Sequence, residues 1–350
     1  MKKAKIGFIG AGWWATTNHM PILAARPDVE LTAVCRPGRE QLSEVQSAFG
    51  FLHATEDYRE LLELELDGVI VCSPHHLHYE HAIAALRKGR HVMCEKPMTL
   101  EPDQAWELVH EAQRKEVELL VPYGWNYKPF VATAKQLVSE IGRVEFVLCH
   151  MASPTKGFFG GADEGGVPSV WEPSIAAPDP ATWQVAANGG GYGHGQITHS
   201  SALLFWLTGL RAARVSARTS NAGAPVDLYD AAHVEFDNGA IGVVSGAATL
   251  PDDSKFQVDI RIFGSDGVLM LDVERERLEL LLHDGSRRAV EIEAESGAYT
   301  CDVPPVRFVE LIHGKGVNES PGGLAAKTVE LIDALHRSAA RGGAEITVAA

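Results

Sequence analysis

The sequence predicts an α/β fold in two parts: a parallel-sheet domain over residues 1–122, then an α+β domain over 123–350 built on a large open, mainly antiparallel sheet. Three observations predict it. A glycine-rich turn follows the first apolar run. Short apolar runs then alternate with helix-period segments as far as residue 122. Beyond that point the strand-like runs alternate apolar with polar, with turn residues between them. A chain of 350 residues is long for one core, so two domains are the expectation.

Lys5-Ile6-Gly7-Phe8-Ile9 is the first strand-like run, and Gly10-Ala11-Gly12-Trp13-Trp14-Ala15 follows as G-x-G-x-x-A where a strand turns into a helix. Gly10 allows the tight turn, Gly12 lets the backbone approach a pyrophosphate, and Ala15 lets helix and sheet pack closely. The helix N-terminus then offers amide donors to phosphates. This is a Rossmann dinucleotide-binding pattern, with Gly10, Ala11, Gly12, Trp13 and Trp14 expected on the cofactor. Glu30 to Cys35 is the second strand at the βαβ distance.

Where an acid would bond a ribose 2′-hydroxyl, the second strand is followed by Arg36, Pro37, Gly38 and Arg39, with no acid before Glu40. A guanidinium suits a 2′-phosphate, so Arg36 and Arg39 favour NADP; the alternative is that Arg36 stacks on the adenine and tolerates NAD as well. Asp57 to Leu62 reads as a short helix and Gly68 to Cys72 as a buried strand. It ends at Ser73-Pro74-His75-His76-Leu77-His78 and leads into a helix with Tyr79, Ala82, Ile83 and Leu86 on one face and Gly89 at its end. The histidines at 75, 76, 78 and 81 have no nearby Asp or Cys to complete a ligand set, so no metal is expected. Ser73, Pro74, His75 and His78 are expected at the nicotinamide end. The next apolar run, Val92 to Cys94, stops abruptly at Glu95-Lys96-Pro97. That carries Glu95 and Lys96 to the carboxyl edge of the sheet, where open α/β folds bind ligands. A helical face (Ala105, Leu108, Val109, Ala112) and a strand over 118–122 complete the domain.

This βαβαβ pattern running into Glu-Lys-Pro resembles the glucose-fructose oxidoreductase / inositol dehydrogenase (Gfo/Idh/MocA) family. Gly10-Ala11-Gly12, Cys72-Ser73-Pro74 with His78, and Arg90 to Met98 carry the resemblance, which extends over essentially the whole chain. It implies an NAD(P)-dependent oxidoreductase moving hydride between nicotinamide and a secondary alcohol or ketone of a sugar, polyol or related cyclic substrate. It also implies a homodimer or homotetramer formed through the exposed face of the second sheet.

In the second domain, alternation over 143–150, 214–219, 231–236, 240–248, 256–263 and 268–273 predicts an antiparallel meander. Turns at Asp237-Asn238-Gly239 and Ser265-Asp266-Gly267 separate the later strands. Ser320-Pro321 opens a last helix with Leu324, Thr328, Leu331, Ile332 and Leu335 on one face. Between the strands, Gly189-Gly190-Gly191-Tyr192-Gly193-His194-Gly195-Gln196-Ile197-Thr198-His199 enters an apolar helix. The family pattern here is a glycine run, an Asp, and a His four residues later, acting with the Glu-Lys-Pro lysine. His199 matches, and the Asp position holds Gly195. The resemblance therefore implies Lys96 and His199 as the catalytic pair, with Gln196, His194 or Tyr192 available to help His199. The Gly- and Pro-rich loop 153–188, holding Trp171, Glu172 and Trp183, offers indoles for a sugar ring, the alternative being core packing or a subunit contact. Asn126 and Tyr127 fall in the family's substrate segment.

Composition narrows the function classes. A net charge of −15 argues against nucleic acid or an anionic membrane as partner, and no apolar run reaches spanning length. Five scattered cysteines with no CxxC read as reduced thiols, and the short apolar segment after Lys5 argues against export, so a cytoplasmic protein is expected. Two further readings stay open: an enzyme that keeps and recycles its nicotinamide for glycoside elimination or epimerisation, and a non-catalytic NAD(P)-binding sensor.

Overall fold

The computed structural model describes residues 2–160 and 175–348, which form two compact units. Of these residues, the first unit holds 2–124, 175–182 and 301–326, and the second holds 125–160, 183–300 and 327–348. The return of 301–326 to the first unit has no counterpart in the sequence reading. Trp171 and Glu172 lie outside the described residues.

The first unit is a six-stranded parallel sheet: β1 (Ala4–Ile9), β2 (Val29–Cys35), β3 (His53–Thr55), β4 (Gly68–Val71), β5 (His91–Cys94) and β6 (Leu119–Leu120). Its order is β3-β2-β1-β4-β5-β6, so the chain reverses direction across the sheet at β1/β4. That is the switch point at which doubly wound sheets bind ligands beyond their carboxyl ends. Strand β4 is buried throughout because helices cover both faces, which is why it reads as an unbroken apolar run. Ile6, Phe8, Val34, Ile70 and Met93 form the core with Phe308 and Val309, from the helix Val303–Ile312. The strand expected over 118–122 shrinks to Leu119–Leu120, since Leu120 pairs with Pro321 and the Val121 amide donates to the Ser320 carbonyl.

The second unit is a nine-stranded sheet: β7 (Val144–Ala152), β8 (Ala212–Ser220), β9 (Tyr229–Phe236), β10 (Ile241–Ala247), β11 (Gln257–Gly264), β12 (Gly267–Asp272), β13 (Arg277–Leu282), β14 (Arg287–Ala289) and β15 (Ile346–Thr347). The order is β14-β13-β12-β11-β7-β10-β9-β8-β15. The expected simple meander is corrected at its centre: β7 inserts between β10 and β11, antiparallel to β11 and parallel to β10. Local alternation cannot report such an insertion, because it sets a strand's faces and not its neighbours. The helix Thr198–Thr208 packs on β7 and is buried on every side from Thr198 to Leu207, so its sequence shows almost no polar face.

Candidate active site

In the first unit the glycine turn is built as its pattern requires. Gly10 has φ +90°, and a Cβ there would lie 2.3 Å from the Ser73 amide nitrogen and 2.5 Å from the Cys72 carbonyl oxygen. The turn after β1 therefore packs directly on the end of β4. Gly12 is the opposite case: a Cβ there would meet nothing within 4 Å. Space stands open in front of the turn where the helix begins, as close approach of a phosphate to the backbone requires. Arg36 follows β2 and donates from Nη1 to the Ala11 carbonyl at 2.9 Å, from Nε to the Pro37 carbonyl at 3.2 Å, and from Nη2 to Gln41. Arg39 is exposed and pairs with Glu56 at 3.3 Å, the same carboxylate that accepts the Gly38 amide at 2.8 Å.

Glu95 and Lys96 leave β5 at the same edge. The Glu95 Oε1 accepts from Trp14 Nε1 at 2.9 Å and stands 2.6 Å from His19 Nε2, while Oε2 accepts the Lys96 amide at 3.1 Å. Burial pushes the Glu95 carboxyl up, but His19 and Lys96 outweigh it and hold it below its ordinary value. Glu95 thus fixes the lysine turn to the first helix. Sequence reading missed His19, which arrives through a π-helical turn, Ala15–His19, that a helical period does not register. Burial brings the Lys96 ammonium down from 10.5 to about 8, against the pull of Glu95 and of the Cys301 thiol. A lysine near neutrality at a sheet's carboxyl edge is suited to donating a proton to a developing oxyanion.

The histidines divide. His78 has Nδ1 2.7 Å from the Pro97 carbonyl and Nε2 2.7 Å from the Ser73 carbonyl, and is 1% exposed. It ties the Ser73-Pro74 turn to the Lys96-Pro97 turn. Both ring nitrogens thereby lie against backbone carbonyls of the two turns. His75 packs edge-on against it at 5.7 Å and remains beside the Ser73-Pro74 turn. His81 bonds Ser73 Oγ at 2.8 Å and is pushed by burial down to about 4. The four histidines do not converge. Among the described residues the convergent trio is instead His19, Cys72 and Glu95, with ligand atoms within 4.8 Å of one another. The short His19–Glu95 contact already uses the carboxylate, and the Cys72 thiol is held well above its ordinary value by burial.

In the second unit His199 sits at the start of the buried helix, 5% exposed, after a π-helical turn, Gly193–Ile197. Trp125 and Tyr299 pack edge-on against its ring at 5.6 and 5.4 Å, and against each other at 4.9 Å. Sequence reading missed both: Tyr299 is far from His199 in the chain and no spacing rule joins them. The absent Asp has a steric counterpart. A Cβ on Gly195 would fall 2.6 Å from Phe159 Cζ and 3.6 Å from Trp183 Cζ3, so aromatic rings fill the place of a side chain at 195.

Tyr192 and His194, expected beside His199 and among the substrate-binding residues, both lie in packed surroundings. Tyr192 is fully buried, with its hydroxyl 3.0 Å from Ser153 Oγ and donating to the Met151 carbonyl at 3.2 Å, and burial pushes its pKa up. His194 stacks on His336 at 4.8 Å, and burial first, then His336, brings it down to about 3. Trp183 packs on Phe158 and Phe159 at 5.4 and 6.1 Å. Asn126 and Gln196 are buried, and Tyr127 is half-buried beside Asn126.

Two family models match the chain: the oxidoreductase family, NAD-binding Rossmann fold, over residues 4–123, and the GFO/IDH/MocA C-terminal domain over residues 131–270. Over 138 residues the sequence is 34% identical to D-glucoside 3-dehydrogenase of Escherichia coli (strain K12), covering 39% of this chain and 38% of that protein. Over 148 residues it is 32% identical to glucose-6-phosphate 3-dehydrogenase of Bacillus subtilis (strain 168), covering 42% and 41%. The chain thus spans about two fifths of the length of the curated relatives it matches. A solved structure of levoglucosan dehydrogenase, in complex with NADH and levoglucosan, superposes with a TM-score of 0.78 at 22% identity over 100% of both chains, which shows a shared fold.

Proposed function

The chain belongs to the GFO/IDH/MocA oxidoreductase family, and from that premise we propose that it is an NAD(P)-dependent dehydrogenase of a sugar, polyol or related cyclic alcohol. The observation that carries the proposal is the carboxyl edge of the first sheet. There the open space before Gly12, after β1, and a lysine lowered to about 8, after β5, stand at the same edge of one parallel sheet with β4 between them. Arg36, bonded to the Ala11 carbonyl beside that turn, supports NADP as the preferred cofactor.

When bound, the nicotinamide takes up or returns the hydride. Everything else falls to the chain. Gly10, Ala11, Gly12, Trp13 and the end of β4 form the phosphate cradle, with Trp14 anchored on Glu95. Glu95 holds the Lys96 turn in register. Lys96 Nζ donates to the substrate oxygen as charge develops on it, and a ring nitrogen of His199 accepts the hydroxyl proton. Asn126, Tyr127 and Gln196 remain proposed substrate contacts, as does Trp171. We further propose a cytoplasmic homodimer or homotetramer formed through the open face of the second sheet, where Ile241 and Tyr229 stand exposed. Among the described residues no helix is long and apolar enough to cross a membrane.

Protein-fluorescence titration with NADP⁺, NAD⁺ and their reduced forms tests the cofactor, with Arg36→Asp as control. Preference for the phosphorylated pair, reversed by the substitution, supports the reading. Failure to take up either, with none released on denaturation, overturns it. Uptake failure with nicotinamide released on denaturation would instead support a recycled cofactor.

A further inference from the structure

Glu274 lies just beyond the end of β12, beside the start of β11, where the Val273 amide donates to the Val258 carbonyl at 3.0 Å. Only 6% of it is exposed. Its Oε2 accepts the Phe256 amide at 3.0 Å and its Oε1 accepts the Tyr299 amide at 3.1 Å. Tyr299 lies outside the strands and helices. Its ring nevertheless packs 5.4 Å from His199 and 4.9 Å from Trp125, while the Phe256 ring packs 6.5 Å from Trp125. One buried carboxylate therefore ties together two segments distant in the chain, whose rings both pack on Trp125, and Trp125 and Tyr299 in turn pack on the His199 imidazole.

We propose that Glu274 is a positioning residue of the active site: its carboxylate fixes the Tyr299 and Phe256 backbones, and through the Tyr299 ring, and the Trp125 ring on which both pack, it sets the orientation of His199. This rests on the reading of His199 as the proton acceptor. An ionised carboxylate accepts strongly from both amides at once, whereas protonation leaves one oxygen a hydroxyl, a weaker acceptor, and loosens the amide bonded to it. Burial pushes the Glu274 carboxyl up to about 7, against the two amides and against Lys255 and Lys128. Those cations are partly committed elsewhere, Lys255 to Glu295 at 3.2 Å and Lys128 to Thr300 Oγ1 at 3.3 Å. Glu276, two residues on, accepts the Gly297 amide at 3.0 Å, and Asp272, two residues before, accepts the Arg275 amide at 3.3 Å. Loss of the carboxylate on acidification loosens the aromatic ring wall before it touches the rest of the fold.

The test is amide hydrogen exchange, read by mass spectrometry on peptides containing Phe256 and Tyr299, for the full chain and Glu274→Gln across about pH 5 to 9. After correction for intrinsic exchange, wild-type protection is expected to fall about three- to tenfold as pH drops through about 7, and Glu274→Gln to show the low value at every pH. Protection that is independent of pH in the wild type, or unchanged in Glu274→Gln, overturns the proposal; if the variant does not fold, the wild-type series alone decides. In parallel, the part of the acid limb of kcat/KM for alcohol oxidation that falls near pH 7 is expected to be lost in Glu274→Gln, leaving the limb of the His199 base itself, with kcat lowered about tenfold and KM changed less than about twofold. A wild type that oxidises no alcohol refutes the dehydrogenase reading and leaves the exchange result standing, so the two failures are distinguishable.

Discussion

Gly10 and Gly12 stand two residues apart in one turn and predict opposite outcomes when each is replaced by alanine. At Gly12 a Cβ meets nothing within 4 Å, so Gly12→Ala leaves the fold intact, with a stability change within about ±0.5 kcal/mol. The same methyl occupies the space assigned to the pyrophosphate. Loss of one charge-assisted hydrogen bond there, about 1.5–3 kcal/mol, weakens the nicotinamide dinucleotide by about 10- to 150-fold. At Gly10 the new Cβ falls 2.3 Å from the Ser73 amide nitrogen, in backbone that cannot swing aside, and φ +90° adds about 1–2 kcal/mol of strain. Gly10→Ala is therefore expected to cost stability, about 2–4 kcal/mol in all, before any ligand is added. Denaturant unfolding separates the fold from fluorescence titration of the cofactor. Gly12→Ala with wild-type affinity, or Gly10→Ala with wild-type stability, would refute the account of the turn.

Lys96 sets an activity–stability opposition. Its folded pKa, about 8, lies below its ordinary 10.5, so the native state binds fewer protons between those values and stability rises as pH climbs through that window. Below pH 8 the buried ammonium costs up to about 3 kcal/mol, and Lys96→Met is expected to recover it in unfolding experiments at neutral pH while cutting kcat about 10²- to 10³-fold. In wild type, kcat/KM for oxidation is expected to fall above about pH 8, as the lysine loses the proton it donates. Gly195→Asp, which restores the family residue, drives a Cβ to 2.6 Å from Phe159 and is expected to lower stability by about 1–3 kcal/mol; unchanged thermal denaturation would show that the rings yield.

The first domain was legible because its signals are local. Gly10-x-Gly12 and Glu95-Lys96-Pro97 each sit at the end of an apolar run, and a buried parallel strand writes its burial directly into sequence. What escaped was whatever depends on distant segments or on a broken period. His19 reaches Glu95 only because a π-helical turn shifts the helix face. Tyr299 and Glu274 reach the His199 surroundings from two separate segments outside the strands. Partners are the harder part to read: Tyr192 bonds Ser153, the His194 ring stacks on His336, and the His78 nitrogens lie against two backbone carbonyls, none of which local spacing reports. Residue type near a motif reports capacity for chemistry; only the partners report its use.

The central claim is that this chain moves hydride between a nicotinamide and a cyclic alcohol, with Lys96 serving the reacting oxygen. The most direct measurement is reduced-nicotinamide absorbance on mixing the protein with NADP⁺ or NAD⁺ and a panel of sugars and inositols, beside Lys96→Ala. The account predicts substrate-dependent reduction by the wild type, and cofactor binding without turnover by Lys96→Ala. Bound nicotinamide left unreduced by every alcohol, or reduction at the wild-type rate by Lys96→Ala, would contradict it.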